Sequence, residues 1–231
     1  MSQDYRYEIK FVLNEIQLSE FEFWMFGRTS MKEVYQRRVV NSLYFDDVEY
    51  RAARDNLTGL ANREKYRLRW YGDAQRNEVI DLKLEKKVRE GRLGYKQSRS
   101  LLPLQDRLLK ADLEEVANDC QEEFLKLGLI DGGMAAQLIP TLYVKYSRQY
   151  FQDIDDIRIT IDRGIGFSNV QGNAPLLQSS AIPYSKNIVE IKFPPELKGN
   201  AARLIGSLHI VPKRCSKYLQ GLSMIGVAVY I

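Results

Sequence analysis

The most constraining feature of this chain is a sorting of charge with period two that recurs in separate segments. Over residues 5–11, Tyr5, Tyr7, Ile9 and Phe11 fall on one side while Arg6, Glu8 and Lys10 fall on the other. Residues 65–71 repeat it, with Tyr66, Leu68 and Trp70 opposite Lys65, Arg67, Arg69 and Tyr71. In residues 79–87, Ile80, Leu82 and Leu84 oppose Asp81, Lys83, Glu85 and Lys87. Ile157, Ile159 and Ile161 oppose Arg158, Thr160 and Asp162, and Val189, Ile191 and Phe193 oppose Ile188, Glu190 and Lys192. Such alternation marks strands with one buried face. Residues 39–45, 94–98 and 141–151 add further strands, the last carrying Lys145 and Arg148, for about eight in all. Helical spacing fills the intervals at residues 14–27, 47–56, a long amphipathic stretch 104–127 ended by Gly128, then 195–207 and 216–225. Residues 164–182, rich in Gly, Ser, Gln and Asn, read as a mobile loop.

An ordinary half-wet sheet carries a mixture of Thr, Ser, Gln and Glu on its polar face. Here Arg and Lys dominate at regular spacing, and Glu8, Glu85 and Glu190 each lie two residues from a lysine on the same face. Closing these strands under covering helices turns the apolar faces outward to the helices and the charged faces inward. The expected class is therefore α+β: an antiparallel eight-stranded β tunnel with helices packed on the outside and a basic lumen. Two unit charges 4 Å apart interact by about 4 kcal/mol at an effective dielectric of about 20, so a bore full of cations needs compensation. An anion with several closely spaced charges provides it, and carboxylates on the same wall can hold a divalent metal together with phosphate oxygens. A chain of phosphates with a magnesium or manganese ion is the expected occupant.

Composition narrows the chemistry. With 231 residues, 45% hydrophobic and 28% charged, the chain can bury a sizeable core and is expected to form a single domain over residues 1–231. Cys120 and Cys215 stand far apart with no metal-ligand partner, which removes zinc-ribbon and CxxC redox readings. His209 is the only histidine, so the chemistry falls to Lys, Arg, Asp and Glu. A net charge of +4 is too weak to indicate nucleic acid. Tyr66, Leu68 and Trp70 also face away from Arg67 and Arg69, where a nucleic-acid platform needs them together. No nucleic-acid partner is expected. No Gly-rich loop ending in Lys-Ser/Thr occurs, so the phosphate site is not a P-loop. No apolar run approaches the roughly 20 residues of a membrane span, and the start MSQDYRYEIKF lacks a signal-peptide build. The expectation is a cytoplasmic protein without a transmembrane segment.

The runs RYEIK at residues 6–10, SLYFDD at 42–47, KYRLRWYG at 65–72 and LEKK at 84–87 carry a family resemblance. It continues through VKYSRQYF at 144–151, RITID at 158–162, VEIK at 189–192 and CSKYLQG at 215–221. In order and over nearly the whole chain, these runs resemble the VTC-type polyphosphate polymerase domain of the CYTH, or triphosphate tunnel metalloenzyme, superfamily. The resemblance implies a transferase that elongates inorganic polyphosphate from ATP and requires manganese or magnesium. It implies tunnel bases at Lys10, Arg67, Arg69, Lys87, Arg148, Arg158, Lys192 and Lys217, with Lys96 and Ser216 as further substrate contacts. Glu190 resembles the family's metal-coordinating glutamate, with Glu8 or Glu85 as helpers. Ser216 has independent support, since a serine opening a helix places its hydroxyl and nearby N–H groups beside an anion. Asp162 reads as a turn or ion-pair residue, and Lys83 and Lys86 fall outside the tunnel set. The chain departs from the superfamily's E-x-E-x-K first strand, because Arg6 replaces the first Glu. One carboxylate fewer weakens metal-activated water attack and favours polymerisation. The SPX domain and membrane helices of eukaryotic members are not expected here. A metal-dependent triphosphatase and a non-catalytic polyphosphate-binding module stand as alternatives.

Overall fold

The computed structural model describes residues 4–73, 76, 78–130, 138–170 and 180–227. Its strands are β1 (Tyr7–Leu13), β2 (Lys32–Asp46), β3 (Asn62–Tyr71), β4 (Ile80–Glu90) and β5 (Leu93–Ser100). They continue with β6 (Ile139–Gln152), β7 (Arg158–Ser168), β8 (Ile182–Pro183) and β9 (Asn187–Phe193). All pairings are antiparallel, in the order β1-β9-β7-β6-β2-β3-β4-β5, with β8 added on β7. The expected eight strands are present, with the two-residue β8 as a ninth. The sheet curls into a tunnel without closing along its full length. Edge strands β1 and β5 meet at one bridge, where the Arg6 N–H donates to the Gly94 carbonyl at 3.0 Å and the Gly94 N–H donates back at 3.1 Å. Further along β1, the Lys213 N–H donates to the Lys10 carbonyl at 2.8 Å, so the loop ahead of the last helix fills the seam.

The outward faces are apolar and helices cover them. Helix α1 (Glu15–Arg28) opens with a capping box between Asn14 and Gln17. It lays Leu18, Phe21 and Met25 on Phe11, Ile159, Ile161 and Ile191. Helices α3 (Leu102–Gln105) and α4 (Leu113–Lys126) bury Leu104, Val116 and Phe124 against Tyr66, Leu68, Trp70 and Leu84. Helix α2 (Arg51–Thr58) and the last helix, α6 (Lys217–Met224), meet the sheet in a third cluster with Tyr44, Leu142, Val144 and Phe167. Helix α5 (Lys198–Gly206) follows a 3-10 turn at Pro195–Leu197.

Three sequence expectations change. The single helix over residues 104–127 is two: Asp112 caps α4 by accepting from the Glu115 N–H at 2.8 Å, and turns separate it from α3. A cap with good hydrogen-bond geometry interrupts what the apolar spacing alone reads as continuous. Helix α2 starts at Arg51 rather than residue 47. The side chain of Asp47 accepts from the N–H groups of Glu49 and Arg51, and that of Asp46 accepts from Ala52 and Ala53. These acids hold a turn in which Tyr50 is left-handed at φ 56°. The expected loop at residues 164–182 begins inside β7, which runs to Ser168, and ends in β8; residues 171–179 lie outside the described part. Among the described residues, no helix is long and apolar enough to cross a membrane.

Candidate active site

Because neighbouring strands pair directly, a charged position on one strand meets the charged position opposite. The register sets Glu8 opposite Lys192, Lys10 opposite Glu190, and Arg67 opposite Glu85. It also sets Lys65 opposite Lys87, and Lys87 opposite Lys96. Of these, Glu8, Lys10, Lys65, Arg67, Lys87, Glu190 and Lys192 line a cavity of about 900 Å³ within the tunnel.

Two ion-pair networks order the interior. In the first, the Lys10 ammonium lies 3.1 Å from Glu8 and 3.2 Å from Glu190. Lys87 completes Glu8 at 2.7 Å, while Lys192 at 2.8 Å and Lys217 at 3.5 Å share Glu190. Asp162, fully buried, takes Arg148 through two bonds of 2.5 and 2.7 Å and Lys217 at 2.5 Å. In the second network Glu85, also fully buried, holds Arg67 at 2.6 Å, Lys96 at 2.7 Å and Arg69 at 3.3 Å. Helix α6 contributes its first residue, Lys217, and its cap, Ser216, whose hydroxyl accepts from the Lys65 ammonium at 2.8 Å.

The electrostatics follow from these contacts. Burial alone would raise the Glu8 and Glu85 carboxyls, but Lys10 and Lys87 on one, and Arg67, Arg69 and Lys96 on the other, hold both below the usual carboxylate range. Glu190 is likewise held well below it, as burial is outweighed by Lys10, Lys192, Lys217 and Arg148. Lys65 moves the other way: burial, then the charges of Lys10, Lys87 and Arg63, pull its ammonium well below the ordinary lysine value. Burial also lowers Lys87, to about 8, with Glu8 opposing and Lys10 adding to the fall.

Of the sequence-expected residues, Lys10, Arg67, Lys87, Arg148, Lys192 and Lys217 line the one cavity, as do Ser216, Glu8 and Glu190. Arg69, Lys96 and Glu85 lie behind it in the Glu85 network. Arg158 stands opposite Lys192 in register but turns its guanidinium to Asp156 at 2.7 Å, with the side chain 44% exposed. Asp162 is an ion-pair residue, and Glu85 does not pair with Lys87. Lys83 and Lys86 pair with Asp81 and Glu64 instead. His209 lines a separate, mostly apolar depression with Ile9, Leu208 and Val211. Lys65, Arg63, Arg89, Lys213 and Arg214 also line the cavity and fall outside the expected set; the period-two pattern that places Lys65 beside Arg67 is the signal for Lys65.

Among the described residues, no group of three or more His, Cys, Asp or Glu side chains could by itself hold a metal ion. Glu8 and Glu190 flank Lys10 and face the cavity, which matches the sites where one or two carboxylates bind a divalent ion whose other ligands come from substrate phosphates. The donor set therefore fits such an ion only together with a phosphate substrate.

A tunnel of antiparallel strands with cations gathered around two carboxylates is the CYTH-like tunnel fold expected from the sequence. The VTC domain family matches residues 5–225, and the chain belongs to that family. Three solved structures share the fold. A candidate adenylate cyclase from Vibrio parahaemolyticus is 12% identical with a TM-score of 0.53, covering 96% of this chain and 99% of its own. HpAC1 from Hippeastrum, a candidate adenylyl cyclase described as having a dominant triphosphatase activity, is 12% identical with a TM-score of 0.54, at 95% of both chains. PH1819 from Pyrococcus horikoshii is 12% identical with a TM-score of 0.52, at 95% of this chain and 98% of its own. No curated protein matches the sequence. At 12% identity these structures show a shared fold over nearly the whole of each chain.

Proposed function

We propose that this protein is a polyphosphate polymerase that transfers the γ-phosphoryl group of ATP to a growing inorganic polyphosphate chain within the tunnel. The observation that carries this reading is the charge balance of the cavity. Eleven Lys and Arg side chains line it against two carboxylates, Glu8 and Glu190, an excess that a long chain of phosphates offsets more fully than one triphosphate tail does.

The reaction needs an in-line nucleophile and stabilisation of charge on the transferred group. A terminal phosphate of the chain is already an oxyanion. Its oxygen forms the new bond to the γ-phosphorus of ATP as the bond to the β–γ bridging oxygen breaks, and ADP leaves with that electron pair; no proton has to move. Arg67 and Arg148 would grip phosphate oxygens through their planar forks, held by Glu85 and Asp162. Lys10, Lys192 and Lys217 would act as point charges around them. Glu8 and Glu190 would hold a manganese or magnesium ion, which supplies charge neutralisation on the phosphate oxygens when bound. Catalysis is then chiefly electrostatic and positional.

A triphosphatase is the second reading, favoured by one observation. Lys65 and Lys87 are lysines with lowered pKa in the same cavity, and a neutral lysine can take a proton from water. One assay separates the two: purified protein with ATP and manganese, followed for polymer and orthophosphate together, beside Arg67→Ala and Glu190→Ala. The proposal expects polymer that both substitutions abolish. Orthophosphate without polymer establishes the hydrolase instead, and wild-type polymer yield from both variants removes the site assignment.

A further inference from the structure

The outer side of α1 carries large apolar side chains that the described residues leave mostly uncovered. Ile16 is 73% exposed, Phe23 83% and Phe26 60%, and Ser19 stands exposed between them. Positions 16, 19, 23 and 26 lie along one stripe of a helix, here about 15 Å long. Leu18, Phe21 and Met25 on the opposite side face the sheet. Scattered exposed apolar side chains are ordinary, whereas several on one stripe mark an interaction surface. The polar groups around them are already satisfied. The Ser19 hydroxyl donates back to the Glu15 carbonyl at 3.1 Å, and Phe26 packs edge-on against Phe151. Glu22 pairs with Arg163 at 2.5 Å, and Glu15 accepts from Asn187 at 2.7 Å.

The stripe complements itself, as a contact about a two-fold axis requires. When two α1 helices lie antiparallel with the axis level with residue 21, position 16 of one copy faces position 26 of the other, and position 19 faces position 23. Phe23 then enters the gap above the small Ser19, and Ile16 meets Phe26, the alternation of large and small that close packing needs. A parallel pair would instead crowd Phe23 on Phe23 and leave a void at Ser19. An anionic lipid surface does not fit, since the helix carries Glu15, Glu20 and Glu22 against Arg28. A phenylalanine buries about 150–250 Å², so the exposed parts of Ile16, Phe23 and Phe26 from two copies come to roughly 800–1,000 Å², the size of weak, reversible associations. The two-fold axis also brings Glu20 of each copy to the same rim, which keeps the association weak.

We infer that this protein forms a reversible two-fold dimer through antiparallel α1 helices, with Phe23 of each copy seated on Ser19 of the other. Helix α1 lies outside the tunnel on β1, β7 and β9, and none of its residues lines the cavity. Both tunnels therefore stay open in the dimer, and the inference stands apart from the reaction proposed for them.

The test is sedimentation equilibrium of the full chain. Wild type is expected to show a monomer–dimer equilibrium with a dissociation constant of about 10–100 μM. Phe23→Glu and Ser19→Arg, both at exposed positions, should each weaken it by about tenfold or more and leave the thermal midpoint unchanged. Mixing the two variants tests the register. In the mixed dimer the introduced arginine faces the introduced glutamate, while the other contact keeps its native Phe23 and Ser19, so association should return to within about threefold of wild type. Val48→Glu is the control: Val48 is 74% exposed in the turn before α2, away from the stripe, and its substitution should leave the dimer intact. Wild type that stays monomeric to about 300 μM, or a dimer that survives Phe23→Glu, overturns the inference. So does an equal loss from Val48→Glu, and so does a mixture of the two α1 variants that fails to associate.

Discussion

Replacing Glu85 by Gln removes one negative charge from the centre of three positive ones and changes little in shape. Glu85 is fully buried and holds Arg67 at 2.6 Å, Lys96 at 2.7 Å and Arg69 at 3.3 Å. Each contact near 3 Å has a gross Coulomb energy of about 5 kcal/mol at an effective dielectric of about 20. Most of that only offsets the cost of burying the carboxylate. The Lys96 side chain is 42% exposed, so water screens its share. Removing one partner of a buried ion pair costs about 3–5 kcal/mol. For a chain of this size that lowers the thermal midpoint by about 6–20 °C. The sign then reverses with ligand: Arg67, released from Glu85, still lines the tunnel cavity, and a polyanion supplies the charge that Gln lacks. Saturating polyphosphate should therefore raise the midpoint of Glu85→Gln by more than it raises that of wild type. Thermal melts with and without polyphosphate measure both effects. Glu64→Gln is the control, since Glu64 pairs with Lys86 while 38% exposed, and it should cost less than about 1 kcal/mol. A loss under about 2 °C for Glu85→Gln, or a polyphosphate response no larger than that of wild type, refutes the view that Glu85 holds together cations meant for an anion.

Three further outcomes follow from the same geometry. Lys65→Met removes a tunnel cation that donates to the Ser216 hydroxyl and lies over the Tyr218 ring but has no carboxylate partner among the described residues; tripolyphosphate affinity should fall about tenfold with no loss in thermal midpoint, and an unchanged affinity would show that Lys65 does not meet the ligand. Lys87, lowered to about 8 by burial, is partly neutral above that pH and regains its proton when an anion binds. Titrations at pH 8.5 in two buffers of different ionisation heat should therefore report proton uptake, absent at pH 6.5, and affinity should fall as pH rises through 8; buffer-independent heats at pH 8.5 contradict this. In Gly221→Ala, the new Cβ lies 2.5 Å from Leu142 Cδ2 and 2.6 Å from Phe167 Cδ1, so overpacking costs about 1–3 kcal/mol. Because α6 carries Lys217 and follows Ser216, product formation should fall together with the midpoint, and full activity with a lowered midpoint would detach α6 from the chemistry.

Much of this molecule is legible in its primary structure, and the misses have identifiable causes. The faces of β1, β3, β4, β7 and β9 could be sorted residue by residue, since consecutive strand side chains point to opposite sides whatever the surroundings. That local rule put Glu8 with Lys10, Lys65 with Arg67 and Arg69, and Glu190 with Lys192 on shared faces. It also implied that helices would cover Leu68, Trp70 and Ile159, as α4 and α1 do. The start of α4 was missed because the capping strength of Asp112 is a matter of hydrogen-bond geometry that apolar spacing does not carry. The split course of residues 164–182 was missed because β8 exists only through its pairing with β7.

Alternation along the chain thus determined by itself which strand side chains share a face. Only the folded structure decided which acid takes which base. Glu8 takes Lys87 from β4, Glu85 takes Lys96 from β5, and Asp162 takes Lys217 from the start of α6. Lys65, Arg63, Arg89 and Arg214 are left without a carboxylate among the described residues. The physical reason is range. The direction of a side chain is set by its own backbone within two residues, whereas its ionic partner depends on the register and curl of strands far apart in sequence, and on the bridge and seam that bring β1 alongside β4 and β5.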